Sequence, residues 1–101
     1  MHAVVRLYTG QGAQPLFQML EDKRELVKGA IARTPGLSRY TLIRTRHGGA
    51  SLTVCRTPNG TDESTRIARR FIAAHAPHLD LAAPNVAEGA VILDLDLAHL
   101  D

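Results

Sequence analysis

Arg6, Tyr8 and Asp94 are the side chains whose types would act together on a small molecule. Arg6 and Tyr8 alternate along the run Ala3-Val4-Val5-Arg6-Leu7-Tyr8, so as a strand both point to one face. Asp94 falls in a second apolar run, Ala90 to Leu95. If the two runs are neighbours in one sheet, a guanidinium, a phenol and a carboxylate meet on a partly dry surface. The aspartate would orient the arginine, which binds a carboxylate or phenolate, while tyrosine supplies a proton. The plainer role for the same residues is a cross-strand ion pair inside a subunit interface.

Three further residues are candidate ligand contacts: His47, Thr53 and Cys55. His47 sits in Arg46-His47-Gly48-Gly49, either at a pocket mouth or in an exposed turn. Thr53 and Cys55 alternate on one strand, and Cys55 stands beside Arg56. A reactive thiol is one reading and a small, inert interface residue the plainer one. His75-Ala76-Pro77-His78 with Asp80 has the residue types of a metal site, but Pro77 breaks the helical spacing and no fourth ligand follows. Asp94 and Asp96 make no calcium loop. Neither a metal nor a cofactor is expected.

The elements that must position these residues read clearly. Ala3 to Tyr8 is a strand, closed by Thr9-Gly10-Gln11-Gly12. Pro15 suits a first helical turn. Leu16, Leu20, Val27 and Ile31 then recur at helical spacing, joined by Phe17, Met19, Ala30 and the stem of Lys23. Contacts from Glu21 to Arg24 and from Glu25 to Lys28 would relieve the repulsion between Glu21 and Glu25. Thr34-Pro35-Gly36 stops that helix. Leu37 to Thr45 and Ala50 to Arg56 form a hairpin whose paired glycines supply positive φ. Thr61 is the expected cap of a second helix, with Asp62 and Glu63 in its first turn. Its stripe is Ile67, Ala68, Phe71, Ile72 and His75, and Pro77 ends it. A last strand follows over Ala90 to Leu95.

That order, βαββαβ, predicts an α+β fold over residues 1–101 as a single domain. It is a ferredoxin-like sandwich, with a four-stranded antiparallel sheet and two helices on one face. Ala3, Val5 and Leu7 are expected toward the helices, turning Val4, Arg6 and Tyr8 to the open side. Leu52 and Val54 would likewise point in, leaving Ser51, Thr53 and Cys55 outward. In the last strand Val91, Leu93 and Leu95 point in, while Ala90, Ile92 and Asp94 point out. Leu42 and Ile43 compete for the inner side of the second strand. The resulting open face is half apolar, which predicts a two-fold homodimer formed through it.

Element order, element lengths and this half-apolar face, over about residues 2 to 96, resemble the dimeric α/β-barrel superfamily. That group includes antibiotic-biosynthesis monooxygenases and stress-responsive barrel proteins. The resemblance implies two ferredoxin-like sheets paired into a barrel, with a pocket between sheet and helices or within the barrel. Enzymes of the group oxidise polycyclic aromatics without a cofactor, or degrade haem with Asn, Trp and His residues. This chain has no Trp, and its only asparagines, Asn59 and Asn85, fall in predicted loops. Other ferredoxin-like functions lack their residues here. The loop from Gly10 to Gln14 has no cysteine for metal transfer, and Thr9 to Gly12 has no arginine for an acylphosphatase-like site. The third strand has no aromatics for RNA.

Composition fits this picture. The chain has 101 residues, 45% hydrophobic and 22% charged, with one cysteine and a net charge of +2. A disulfide framework, a disordered chain and a membrane span are all excluded. The start lacks the pattern of a signal peptide, so the expected location is cytoplasmic. The small net charge conceals a polarised chain. Residues 1–60 hold nine cations against three acids, and the rest three cations against seven acids. The function expected is that of a small homodimeric ligand-binding or stress-response-type α/β-barrel protein, the ligand being anionic or aromatic. One alternative is a cofactor-independent monooxygenase-like enzyme acting on a small aromatic substrate. Another is an accessory protein whose arginine-rich hairpin docks an acidic partner. Neither nucleic acid nor membrane is an expected partner.

Overall fold

Period-two and helical spacing give way to each other four times along the chain, and the elements follow them. The computed structural model describes residues 1–97. The strands are β1 (His2–Tyr8), β2 (Leu37–Thr45), β3 (Gly48–Cys55) and β4 (Asn85–Ala90). The helices are α1 (Ala13–Asp22), α2 (Arg24–Ile31) and α3 (Pro58–His75). All strand pairs are antiparallel, in the order β2-β3-β1-β4, and the helices cover one face. This is the ferredoxin-like sandwich that the element order predicts.

The core lies between that face and the helices. Leu16, Phe17 and Leu20 of α1, Val27 and Ile31 of α2, and Ile67 of α3 are buried together. The single helix expected from Pro15 onward is divided at Lys23, whose backbone (φ −108°, ψ 25°) leaves the helical region. Glu25 pairs with Lys28 at 3.1 Å as the spacing predicts. The Glu21 carboxylate pairs with Arg44 of β2, and Arg24 donates to the Glu21 backbone carbonyl at 3.3 Å. The second long helix starts earlier than expected, because Thr57-Pro58 fits its first turn. Thr61 therefore lies inside the helix, where its hydroxyl donates to the Pro58 carbonyl at 2.9 Å.

The two faces of the sheet are the reverse of the expectation. Val4, Arg6, Ser51, Thr53 and Cys55 are buried toward the helices, with Tyr8 and Tyr40 in the same layer. Val5, Leu7, Leu52, Val54 and Ile43 lie on the open side. The reason is helix approach. A Cβ added to Gly49 would fall 2.2 Å from the Phe17 ring, and one on Gly60 would fall 2.8 Å from the Cys55 Cβ. Only small residues on the inner side of β3 let α1 and α3 come this close. Leu42 goes to the helix side and Ile43 to the open side.

The last strand is also displaced. It spans Asn85–Ala90, not Ala90–Leu95. The loop after α3 is pinned to the β1–α1 loop by Ala82 N–H donating to the Gln11 carbonyl at 3.3 Å. The chain therefore enters the sheet at Asn85, opposite Leu7. Val91 N–H donates to the Met1 carbonyl at 3.0 Å, which uses up β1, and the apolar run beyond it is outside the sheet.

Candidate ligand-binding site

The site is built on the inward row of β1. Arg6 lies mid-strand, flanked by Ser51 on β3 and Val86 on β4, and is only 4% exposed. Its guanidinium donates to the Thr65 hydroxyl on α3, and that hydroxyl donates onward to the Thr61 carbonyl at 3.1 Å. Among the described residues, no carboxylate lies within ion-pair distance (4.0 Å) of Arg6. Burying a charge without a counter-ion is costly, by several kcal/mol in general.

Arg6 and Tyr8, with Ala68 and Ile72 of α3, line two spaces at once. On one side is a small cavity of about 30 Å³, room for a single water. Its polar lining is Arg6, Tyr8, Tyr40 and Ser51, and the rest is apolar side chains of the three helices and Leu42. On the other side is an open cleft of about 780 Å³, between β1, β4, α3 and the segment 76–84. Its walls are mostly apolar, including Val4, Ile72, Leu79, Leu81 and Val86. Its cations are Arg6, Arg66 and Arg69, and Asp62 and Glu88 are its acids. Glu88 is engaged by His2 at 3.2 Å.

Both phenols stay protonated across the neutral range. Burial pushes the Tyr8 phenol above its usual value, against the opposing pull of Arg6 and then Arg69. Burial pushes Tyr40 up to about 12, helped by Tyr8 and opposed by Arg6. Tyr8 is further fixed by the Phe17 ring, with centroids 5.7 Å apart and planes at 57°. Arg6 and Tyr8 thus offer the cleft a guanidinium and a neutral hydroxyl donor, with the Tyr40 hydroxyl behind them in the small cavity. That set suits a carboxylate, phenolate or enolate.

The sequence candidates fare unequally. Arg6 and Tyr8 are together, on the face toward the helices rather than the open one. Asp94 does not join them: Arg6 faces Val86, because β4 occupies an earlier stretch of chain, and Asp94 is exposed beyond the sheet. Thr53 and Cys55 are fully buried, and neither lines the cavity or the cleft. Burial alone raises the Cys55 thiol. His47 lies in a separate surface depression with Thr9, Gly10 and Gly12. His75 contacts Lys23 Nζ at 3.3 Å and stacks on Phe71, while Asp80 accepts from Gln11. Tyr40, Thr65 and Arg69 escaped the sequence reading. Assigning Leu42 inward would have brought Tyr40 with it, two residues away on the same face. Thr65 and Arg69, four apart on α3, carried no signal beyond the polar side of a helix.

No family model matches the chain, and no curated protein sequence does. Solved structures share its fold. One is a protein of unknown function from Nitrosomonas europaea, with a TM-score of 0.67 and 15% identity over 93% of this chain and 90% of that one. Another is the heme-degrader MhuD of Mycobacterium tuberculosis, solved with two hemes in its active site. Its TM-score is 0.60 at 19% identity, over 95% of this chain and 100% of that one. A third is SnoaB, a cofactor-independent oxygenase of Streptomyces nogalater, with a TM-score of 0.57 and 19% identity over 93% and 94%. The fold is therefore that of the ferredoxin-like α/β proteins to which these belong. Among the described residues, no helix is long and apolar enough to cross a membrane.

Proposed function

We propose that this chain is a homodimeric ligand-binding protein whose cleft takes a flat, largely apolar molecule bearing one anionic group. The observation that carries the reading is Arg6: a buried guanidinium at the cleft wall, with a hydroxyl and, among the described residues, no carboxylate as its partner. An anion entering the cleft would supply the missing charge, and the apolar walls would cover its body. Arg69, at the same wall, adds a second positive charge near the phenol of Tyr8.

The homodimer reading rests on the open sheet face, where Val5, Leu7 and Ile43 are exposed side by side with Leu52 and Val54. A contiguous apolar patch of this kind calls for a partner, and two-fold self-association is the commonest answer. On this reading residues 1–101 act as one ferredoxin-like domain. A cytoplasmic setting suits its lone reduced thiol, Cys55.

Calorimetric titration with aromatic carboxylates and phenols tests the ligand reading. Binding by the unaltered protein, weakened about 30-fold or more by Arg6→Met, is the expected result. No binding across the set, or equal binding by Arg6→Met, refutes it. The second reading is a cofactor-independent oxygenase, favoured by the two protonated phenols beside Arg6 and by the likeness to SnoaB. Oxygen consumption with dihydroxyaromatics, absent in Arg6→Met, would establish it.

A further inference from the structure

We propose that the small cavity bordered by Arg6, Tyr8, Tyr40 and Ser51 is a binding site for a single halide ion, chloride or bromide. The site stands whether or not the cleft takes an organic anion, because Tyr40 and Ser51 line the cavity alone.

Three neighbouring strands supply the polar side of the cavity. Arg6 and Tyr8 come from β1, Tyr40 from β2, and Ser51 from β3, where it stands opposite Arg6 in the register. Arg6 is 4% exposed and Ser51 5%. Among the described residues, the hydroxyls of Ser51, Tyr8 and Tyr40 have no hydrogen-bond partner, and Arg6 has no counter-ion. Buried polar groups are ordinarily satisfied, so several unmatched groups around one space point to a guest.

Charge and size select that guest. A monatomic anion accepts hydrogen bonds from every direction and balances the guanidinium at the same time. A water molecule would answer the hydroxyls and leave the charge of Arg6 uncompensated. The cavity, about 30 Å³, is on the scale of one such ion, far below the 780 Å³ of the cleft. Both phenols stay protonated at neutral pH, raised by burial, and so can donate to an anion. The acids of the cleft, Asp62 and Glu88, do not line the cavity and so do not repel its guest at contact. Leu16, Phe17 and Leu20 form part of the remaining wall, where the ion must shed its water. That requirement favours chloride and bromide over the more strongly hydrated fluoride.

Anomalous diffraction from crystals of the full chain grown in sodium bromide tests this, together with chloride NMR line widths in gluconate buffer. The variants are Arg6→Met and Tyr40→Phe, the second touching the cavity and not the cleft, with circular dichroism as the check on folding. The expected result is a bromide peak among Arg6, Tyr8, Tyr40 and Ser51. Excess chloride broadening should disappear in Arg6→Met, and halide affinity should fall about 10-fold or more in Tyr40→Phe. A water without anomalous signal at that position, or broadening unchanged in both variants, overturns the halide site. A bromide peak confined to the cleft also overturns it, and leaves Arg6 standing as the anchor of a cleft anion. A bromide peak in the cavity, with no organic acid bound in calorimetry, upholds the halide site and overturns the cleft reading alone.

Discussion

The guanidinium of Arg6 on β1 and the hydroxyl of Thr65 on α3 are hydrogen-bonded across the layer between sheet and helix. The bond ties the sheet to the helix beside the cleft and gives a buried cation its one side-chain acceptor among the described residues. Thr65→Val should leave that guanidinium short of an acceptor and lower stability by about 1–3 kcal/mol. In an Arg6→Met background the same change should cost much less. Urea unfolding of the four proteins in a double-mutant cycle measures the difference.

Arg6→Met alone should unfold no more easily than wild type, because an apolar side chain of similar length replaces a charge with no counter-ion among the described residues. Comparable replacements of buried ionic groups elsewhere are neutral or stabilising by about 1–4 kcal/mol. A large loss of stability would mean that Arg6 has a structural task beyond the site. The denaturation midpoint reports it.

Two glycines should respond to alanine in opposite senses. At Gly49 the new methyl would meet Phe17 ring carbons at 2.2–2.4 Å, and Gly49→Ala should destabilise by about 1–3 kcal/mol or more. At Gly29 on α2 nothing lies within 4 Å of the added carbon. Gly29→Ala should stabilise by about 0.5–1 kcal/mol through helix propensity. Thermal or urea melts of both variants decide it.

Stability should decline as pH rises from 10 toward 12. Tyr40 ionises near 10 in the unfolded chain but at about 12 in the fold, so the native state holds the extra proton through that window. Its contribution is intact below pH 10 and lost with further alkali. Tyr8 is the only other tyrosine, so ultraviolet titration of Tyr8→Phe follows Tyr40 by itself. A midpoint near 10 in the folded protein would contradict the burial of the phenol.

Cys55 should resist thiol reagents in the native protein. It is fully buried and its thiol is held protonated by burial. Modification should proceed at the rate of unfolding and become immediate in denaturant. Rapid labelling of the folded protein would show that the β3–α3 packing around Gly60 opens readily.

The element order was legible because periodicity changes cleanly, from Ala3–Tyr8 to the Leu16–Ile31 stripe and again after Gly60. The direction each strand faces was not. Val5 and Leu7 looked like core because they are apolar, and Arg6 looked like surface because it is charged. Both sides of this sheet carry apolar residues, so polarity alone could not choose between them. The choice is made by volume, through Gly49 under Phe17 and Cys55 beside Gly60. The last strand was missed for a related reason. Val91 to Leu97 has the better strand composition, yet Asn85–Ala90 takes the place beside β1 because the preceding loop is tethered at Gln11. Arg6 and Tyr8 were chosen for their chemistry, and they do stand together. Asp94 was placed with them only by the misassigned strand.

On β3 small residues face the helices while Leu52 and Val54 face the open side. The homodimer proposed through the open face would tie folding to association: mass action would enter the unfolding equilibrium, and the melting temperature should climb with protein concentration. Stabilities of all variants, those at Gly29 included, would then be comparable only at matched concentration.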